Sequence, residues 1–198
     1  MKPGTVLLLS GGVDSAVALS MQTGPVETLT IDYGQRHRKE IDAAKKISAH
    51  YGVNNITIEL DNRLFGGVSA LTDRSVKLPT GHATSPDFTY VPARNTVFLA
   101  LAAARAESIG ANRVVIGCNA DDAGAYPDCS LRYIQSFRDV LIDGTIGKVW
   151  VSAPLIGLTK RQIISEAYYR LVPIELTWSC YAGSDTPCGV CGACESMR

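Results

Sequence analysis

The sequence has no long hydrophobic run and no excess of charge of either sign. No apolar stretch approaches the roughly 18 residues that a membrane-spanning helix needs, and no secretory signal opens the chain. The 19 Lys and Arg residues balance the 19 Asp and Glu residues, which argues against a broad basic face for nucleic acid. We therefore expect a cytoplasmic protein that contacts neither a membrane nor nucleic acid directly.

Internal repeats and low-complexity segments are also lacking, which argues against a solenoid or a disordered chain. The 198 residues are 46% hydrophobic, enough to fill the core of one ordinary domain with a small appendage. Six cysteines remain to be explained, because the cytosol does not favour disulfides. Four of them lie in the last nineteen residues. We expect a main domain over residues 1–172 and a C-terminal segment over residues 173–198.

Residues 10–15, with the sequence SGGVDS, form the clearest motif. A short apolar run precedes them and a helical pattern follows, so the two glycines occupy a tight strand-to-helix loop. The N–H groups at a helix start favour an anion, and Ser10 and Ser15 add hydroxyl donors. The stretch therefore predicts a phosphate cradle. It lacks the Gly-Lys-Ser/Thr of a Walker loop, and the alternative interpretation is a plain turn with a serine cap.

Strand and helix patterns alternate along the chain. This alternation predicts an α/β fold with a parallel sheet covered by helices on both faces. Ligands of such sheets bind beyond the carboxyl ends of the strands, where residues 10–15, 32–37 and 117–129 fall. The expected strands are at 6–9, 27–31, 55–60, 114–117 and 149–151, and the expected helices follow residue 15 and cover 38–51, 96–109, 130–142 and a segment from 158.

Three further stretches carry polar groups suited to a ligand site. Residues 32–37 include Gln35, Arg36 and His37; either cation could hold an anion, and His37 could act as a general base. Arg94 and Asn95 stand at a helix start, where Arg94 adds a fork for phosphate. The alternatives are an ordinary polar loop for the first stretch and a simple N-cap for Asn95.

The third stretch, residues 119–129, contains three carboxylates, an aromatic ring and a thiol. Carboxylates beside phosphates suggest Mg²⁺, which prefers oxygen ligands. Tyr126 and Asp128 could supply an aromatic face and an acceptor for a purine-like ring, although a solvated acidic loop is the alternative. The irregular residues 61–89 predict either a functional lid or a mobile loop.

Cys180, Cys188, Cys191 and Cys194 lie within fifteen residues of one another. Four thiolates at this spacing are typical of a tetrahedral structural Zn²⁺ site, and a closed site of this kind leaves no position for catalysis. An iron–sulfur cluster and a set of redox disulfides are the alternatives.

Taken together, these stretches resemble one family. The SGGVDS loop resembles that of the PP-loop ATP pyrophosphatases, and the ordered set resembles the 7-cyano-7-deazaguanine synthase family of queuosine biosynthesis, over about residues 5–194. The matching motifs are SGGVDS, DYGQRH, YVPARN, AYPDC, PLIGLTK and the four-cysteine tail. The resemblance implies a Rossmann-like sheet of the adenine nucleotide α-hydrolase type with a C-terminal zinc knuckle.

The resemblance also implies a reaction. ATP adenylates 7-carboxy-7-deazaguanine, ammonia displaces AMP to give the amide, and a second ATP activates the amide so that the nitrile forms. We expect a homodimer that uses ATP, Mg²⁺ and structural Zn²⁺. Ala125, where a glycine is common, leaves open an enzyme that stops at the amide or serves nucleic-acid modification. A tRNA sulfur transferase using Cys129 and a non-enzymatic zinc module that binds a partner are two competing hypotheses.

The site residues that follow from the motifs and the resemblance fall into four groups. Catalytic roles are expected for Asp14, Ser15, Arg94, Asp128 and Lys160. ATP contacts are expected for Leu9, Ser10, Gly11, Gly12, Val13, Asp14, Ser15, Asp32 and Gly117. Substrate contacts are expected for Gln35, Arg36, His37, Arg94, Asn95, Tyr126 and Asp128. Metal ligation is expected for Cys180, Cys188, Cys191 and Cys194.

Overall fold

The computed structural model describes residues 4–65, 67, 69–78 and 88–197. Strands and helices alternate through most of these ranges. The strands are β1 Thr5–Leu8, β2 Val26–Asp32, β3 Asn54–Glu59, β4 Arg113–Val115 and β5 Trp150–Ser152. The α-helices are α1 Val13–Ser20, α2 Lys39–His50, α3 Arg94–Ile109, α4 Ala120–Ala123, α5 Leu131–Gly144, α6 Lys160–Tyr169 and α7 Gly192–Glu195. Short 3-10 helices lie at Asn62–Phe65, Pro127–Cys129 and Ile174–Leu176.

The five strands form one parallel sheet in the order β3-β2-β1-β4-β5. The chain winds outward from β1 to β2 and β3, then continues on the other side of β1 with β4 and β5. The strand order therefore reverses between β1 and β4. In open parallel sheets, the crevice beyond such a reversal is the usual ligand site. The predicted α/β architecture is confirmed.

Helices cover both faces of the sheet, each over its own apolar core. One core packs β1, β2 and β4 against α3 and α5, whose buried residues include Leu99, Ala102 and Ile134. The other packs Leu7 and Leu9 against α1, α2 and α6. Because both faces of the sheet are buried, its strands appear in the sequence as continuous apolar runs.

The element boundaries differ from the predicted ones in instructive places. Residues 118–129, which lie outside the expected strands and helices, contain α4 and a 3-10 helix, and the tail contains α7. The alternative role of Asn95 as a helix cap is wrong: α3 begins at Arg94, after Ala93 in a left-handed conformation at φ 51°. Of the predicted lid, residues 66, 68 and 79–87 lie outside the described ranges. The helices of the described ranges are too short or too polar to cross a membrane.

Candidate active site

A cavity of about 560 Å³ opens at the carboxyl edge of the sheet. It lies at the reversal between β1 and β4, and it collects residues from β1, β2, α3, the loop after β4, α6 and the tail. The predicted site residues that line it are Leu9, Ser10, Gly12, Val13, Asp14, Ser15, Gln35, His37, Arg94, Asn95, Gly117, Tyr126 and Lys160.

The loop between β1 and α1 has the features of an anion cradle. Gly12 precedes α1 in an extended conformation, and no side chain of the described residues caps this helix. The first N–H groups of α1 are therefore available to a ligand. Ser10 Oγ accepts a hydrogen bond from the Gly12 N–H at 3.2 Å and lies 3.1 Å from Ser15 Oγ. Two hydroxyls and a helix start thus face the same space.

Two glycines lie where backbone segments pack closely around this loop. Gly11 has a φ of +91°, and a Cβ there would lie 2.0 Å from the Glu40 carbonyl oxygen. Gly117, after β4, packs against the first turn of α1: a Cβ on it would lie 3.2 Å from the Ser15 nitrogen. The cradle is therefore held between α2 and the segment after β4, with no room for a side chain at Gly11 and little room at Gly117.

Asp14 and Lys160 form an ion pair on one wall of the cavity. Lys160 Nζ donates to both Asp14 carboxylate oxygens at 2.6 Å, and the Asn119 side chain donates to Asp14 Oδ2 at 3.0 Å. Lys160 is the first residue of α6, whose start is fixed by a capping box of Thr159 and Gln162. The capping box therefore positions a lysine against the phosphate loop.

Two further carboxylates lie beside this pair. Asp121 accepts a hydrogen bond from the Lys160 backbone N–H at 2.7 Å, and Asp122 accepts one from the Asn119 side chain at 2.8 Å. Burial, followed by the charge of Asp14, raises the pKa of Asp122 to about 6. The carboxylates of Asp14, Asp121 and Asp122 are the kind of ligand that Mg²⁺ takes, and their repulsion would be relieved by a cation.

Arg94 supplies a half-buried cation on the far wall of the cavity. Its guanidinium donates to the Tyr33 hydroxyl at 3.3 Å and lies 5.9 Å from the centre of the Tyr33 ring. Burial by itself lowers the pKa of Arg94, but Tyr33, Cys129 and Asp128 together hold that pKa above its usual value. Arg94 therefore stays charged and can receive an anionic group of a ligand.

Glu40 is a cavity residue that the sequence reasoning missed. It lies in the first turn of α2. From the sequence, it is one of the charged residues between the apolar positions of this helix and is expected to face solvent. Its carboxylate accepts a hydrogen bond from the Gln35 side chain at 2.8 Å. Burial raises the pKa of Glu40 to about 7, although Gln35 and Arg94 oppose the rise. The closeness of Glu40 to residues 32–37 in sequence was the available signal.

An aromatic wall lies near the start of α3. The Tyr126 hydroxyl lies 2.7 Å from Thr89 Oγ1, and the Tyr126 ring stacks on Tyr90 with centres 6.5 Å apart and planes at 19°. Tyr181 from the tail also lines the cavity, and burial raises its pKa. Such a wall suits a planar heterocyclic ring.

The structure does not bring every predicted site residue to the cavity. Among the described residues, those predicted to contact ATP or the substrate but not lining the cavity are Gly11, Asp32, Arg36 and Asp128. Asp32, the last residue of β2, pairs instead with Arg38. Asp128 accepts a hydrogen bond from the Asn95 N–H at 3.0 Å, so it fixes the start of α3 rather than facing a ligand. Arg36 donates instead to the carbonyl oxygens of Ala70, Arg74 and Val76.

The four tail cysteines form one cluster. Their sulfur atoms all lie within 4.8 Å of one another, and Cys188 Sγ is 4.0 Å from Cys194 Sγ. A tetrahedral zinc with bonds of about 2.3 Å separates its sulfurs by about 3.8 Å, so the cluster fits a four-thiolate metal site. Backbone N–H groups of Val190 and Cys191 help lower the pKa of Cys188 to about 7, which favours the thiolate that a metal needs.

The tail that carries this cluster contacts the phosphate loop directly. The Trp178 N–H donates to the Gly11 carbonyl at 2.9 Å, and the Trp178 indole donates to the Cys180 carbonyl at 2.9 Å. Lys39 from α2 lies 4.9 Å above the Trp178 ring and donates to the Ser184 carbonyl at 2.7 Å. The cysteine cluster and the loop therefore share one framework of contacts.

Solved structures share the fold of this chain. The NMN synthetase of Francisella tularensis superposes with a TM-score of 0.54 at 19% identity, covering 92% of this chain and 68% of that one. The NH3-dependent NAD synthetase of Campylobacter jejuni gives a TM-score of 0.52 at 18% identity, covering 87% of this chain and 66% of that one. At these identities the likeness establishes the fold alone.

Sequence relatives define the family. The 7-cyano-7-deazaguanine synthase of Synechococcus sp. strain CC9311 is 47% identical, covering 96% of this chain and 88% of the relative. That of Thermoplasma volcanium is 42% identical, covering 98% and 85%. The family model described as queuosine biosynthesis protein QueC matches residues 4–198. The phosphate loop, the cavity walls and the cysteine cluster all lie inside this match, and the chain belongs to the QueC family.

Proposed function

We propose that this chain converts 7-carboxy-7-deazaguanine and ammonia to 7-cyano-7-deazaguanine, with hydrolysis of ATP to AMP and pyrophosphate. The observation that carries the proposal is the meeting of an anion cradle and a cationic, aromatic pocket in one cavity. Membership of a family whose relatives bear this name supports it over a tRNA sulfur transferase. A carboxylate is a poor electrophile until its oxygen becomes a leaving group, and adenylation supplies that change.

The cradle side of the cavity suits the triphosphate of ATP. The first N–H groups of α1 and the hydroxyls of Ser10 and Ser15 would hold the departing pyrophosphate. Lys160, kept in place by Asp14, would add a positive charge there. Mg²⁺ bound through Asp14, Asp121 or Asp122 would neutralise phosphate charge.

The Arg94 side suits the deazaguanine. Arg94 would receive the carboxylate, and the aromatic wall with Tyr126 would stack on the planar ring. Asn95 and Gln35 add polar groups at the same wall. Asp128 would act as a positioning residue, because it binds the Asn95 N–H at the start of α3.

For the tail we propose structural zinc. Four cysteine sulfurs complete a tetrahedral site, so no ligand position is left for substrate. When bound, the metal would hold the tail segment that carries Trp178, Ser179 and Tyr181 against the cavity. A homodimer in the cytoplasm stays a prediction from the sequence.

The test is a product assay with 7-carboxy-7-deazaguanine, ATP and ammonium, followed by pyrophosphate release and mass spectrometry. We expect the amide and then the nitrile. Asp14→Asn should reduce pyrophosphate release by about 100-fold or more, since it removes the charge that holds Lys160 in the cradle. Asp42→Asn, on the exposed side of α2, is the matched control and should behave as wild type. Accumulation of amide alone would limit the reaction to its first half, and no pyrophosphate release would refute the proposal.

A further inference from the structure

Glu40 and His37 both line the cavity, but the proposed reaction gives neither of them a role. We propose that they form the subsite that binds ammonium, and that Glu40 accepts the proton whose loss turns ammonium into the nucleophile ammonia. This inference rests on the proposed function and adds a binding site for its nitrogen substrate.

The geometry leaves a gap that fits a small donor. Glu40 Oε1 is already bonded to Gln35, which fixes the carboxylate, while Glu40 Oε2 lies 4.0 Å from His37 Nδ1. That distance is too long for a direct hydrogen bond. His37 Nδ1 is buried and has no hydrogen-bond partner in the part of the chain that the structure describes. A buried polar atom without a partner is costly, so a ligand that donates to both atoms would repair the site.

The local charges favour a cation that gives up a proton. Burial, then the charge of Arg36, lowers the pKa of His37 to about 4, so its ring is neutral and offers an acceptor. The groups around Glu40 are Asp32 at the end of β2, then Tyr33, Gln35 and His37 from the loop that follows, and Arg94 from α3. With a pKa raised to about 7 by burial, Glu40 can both attract ammonium and hold its proton near neutral pH.

The step balances in atoms and charge. Ammonium transfers one proton to the Glu40 carboxylate and becomes ammonia, whose lone pair attacks the carbonyl carbon of the adenylated substrate. The new C–N bond forms as the C–O bond to the phosphate breaks, and AMP leaves with that electron pair. The second surplus proton of the nitrogen passes to solvent. Arg94, whose charge acts on Glu40, repels the cation but not neutral ammonia, which favours deprotonation within the cavity.

The experiment compares Glu40→Gln with Asp42→Asn, a matched loss of a carboxylate on the exposed side of α2. Adenylation is measured by exchange of labelled pyrophosphate into ATP without ammonium, and amide formation is measured over a range of ammonium concentrations. Glu40→Gln should keep adenylation, while its KM for ammonium at pH 7 rises by about 10–100-fold, the effect expected for loss of a charge-assisted contact. Asp42→Asn should change neither quantity.

The pH profile separates a proton acceptor from a structural carboxylate. In wild type, kcat/KM for total ammonium should rise with pH and level off above about pH 7, as Glu40 becomes ionised. In Glu40→Gln it should continue to rise, because only ammonia formed in solution can react. His37→Asn, which keeps an acceptor, should stay closer to wild type than His37→Phe. If Glu40→Gln keeps adenylation and also keeps the wild-type ammonium KM and pH profile, the ammonium subsite is refuted and the proposed function stands. If the wild-type protein does not adenylate the substrate, the proposed function itself is refuted.

Discussion

Replacing Gly11 with alanine should damage both the stability of the protein and its phosphate loop. Gly11 has a φ of +91°, and an added Cβ would lie 2.0 Å from the Glu40 carbonyl oxygen and 2.9 Å from the Ala44 nitrogen. Both atoms belong to the backbone of α2, so no side chain can rotate away. The loop or the helix has to move.

The magnitude can be separated into a conformational and a steric part. A non-glycine residue at positive φ destabilises the folded state by about 1–2 kcal/mol. Alanine also restricts the unfolded chain more than glycine does, which offsets this cost by about 0.4–1 kcal/mol. Forcing an extra methyl group into a packed site costs about 1–3 kcal/mol more. Gly24 is the matched control: its φ is +87°, and nothing lies within 4 Å of a Cβ there. Gly24→Ala should therefore show the conformational part alone, and Gly11→Ala should lose about 1–3 kcal/mol more.

Urea denaturation of both variants measures this difference, and pyrophosphate release measures the loop. For a chain of this size the steric part corresponds to a Tm lower by about 2–12 °C than that of Gly24→Ala. Gly11→Ala should also release pyrophosphate at least about 10-fold more slowly, because the N–H groups and hydroxyls of the cradle shift together. Equal stability of the two variants, with a fully active Gly11→Ala, would refute the steric argument.

The remaining predictions concern the walls of the cavity and the tail. Arg94→Lys should lose about 10²–10³ in nitrile formation because lysine lacks the bidentate fork, whereas Cys129→Ser should keep substantial activity in the same mass-spectrometric assay; the reverse result would favour thiol chemistry. Cys188→Ser should lose about one bound metal per chain by elemental analysis and melt at lower temperature, since metal binding and folding are coupled; normal melting without metal would contradict this. Because the pKa of His37 falls from 6.5 to about 4 on folding, the unfolded chain binds more protons in that interval. The free energy of unfolding should therefore decline by up to about 1.4 kcal/mol per pH unit as the pH falls from 6.5 to 4. Urea denaturation of His37→Asn at several pH values in this range should show a smaller decline.

The fold could be predicted because its signals are local. Apolar runs followed by glycine-rich or polar turns predicted the parallel sheet, and the predicted strands fall within one or two residues of the observed ones. The start of α3 could not be predicted in this way. Ala93 adopts a left-handed conformation, which alanine does not favour. Asp128, far along the chain, accepts a hydrogen bond from the Asn95 N–H at the start of α3. Tertiary contacts decide that boundary.

The site was predictable to the level of motifs but not of individual side chains. Arg36 and Arg94 are both arginines in polar stretches, yet only Arg94 lines the cavity, because Arg36 is used to hold a neighbouring loop. Glu40, in contrast, lines the cavity although the sequence does not predict it there. Charged residues on an amphipathic helix usually face solvent, and only the packing of α2 against the phosphate loop turns this one inward.

That packing also explains why the two strongest motifs belong to one functional unit. Gly11 is fixed from both sides: its Cα faces the Glu40 carbonyl of α2, and its own carbonyl accepts the Trp178 N–H of the tail. Lys39, beside Glu40, lies over the Trp178 ring and binds the Ser184 carbonyl. A loop that must present N–H groups to a phosphate has to be held rigidly before the ligand arrives. The contacts that hold it come from α2 and from the cysteine-bearing tail. The site is therefore built from both sides of the expected boundary at residue 173.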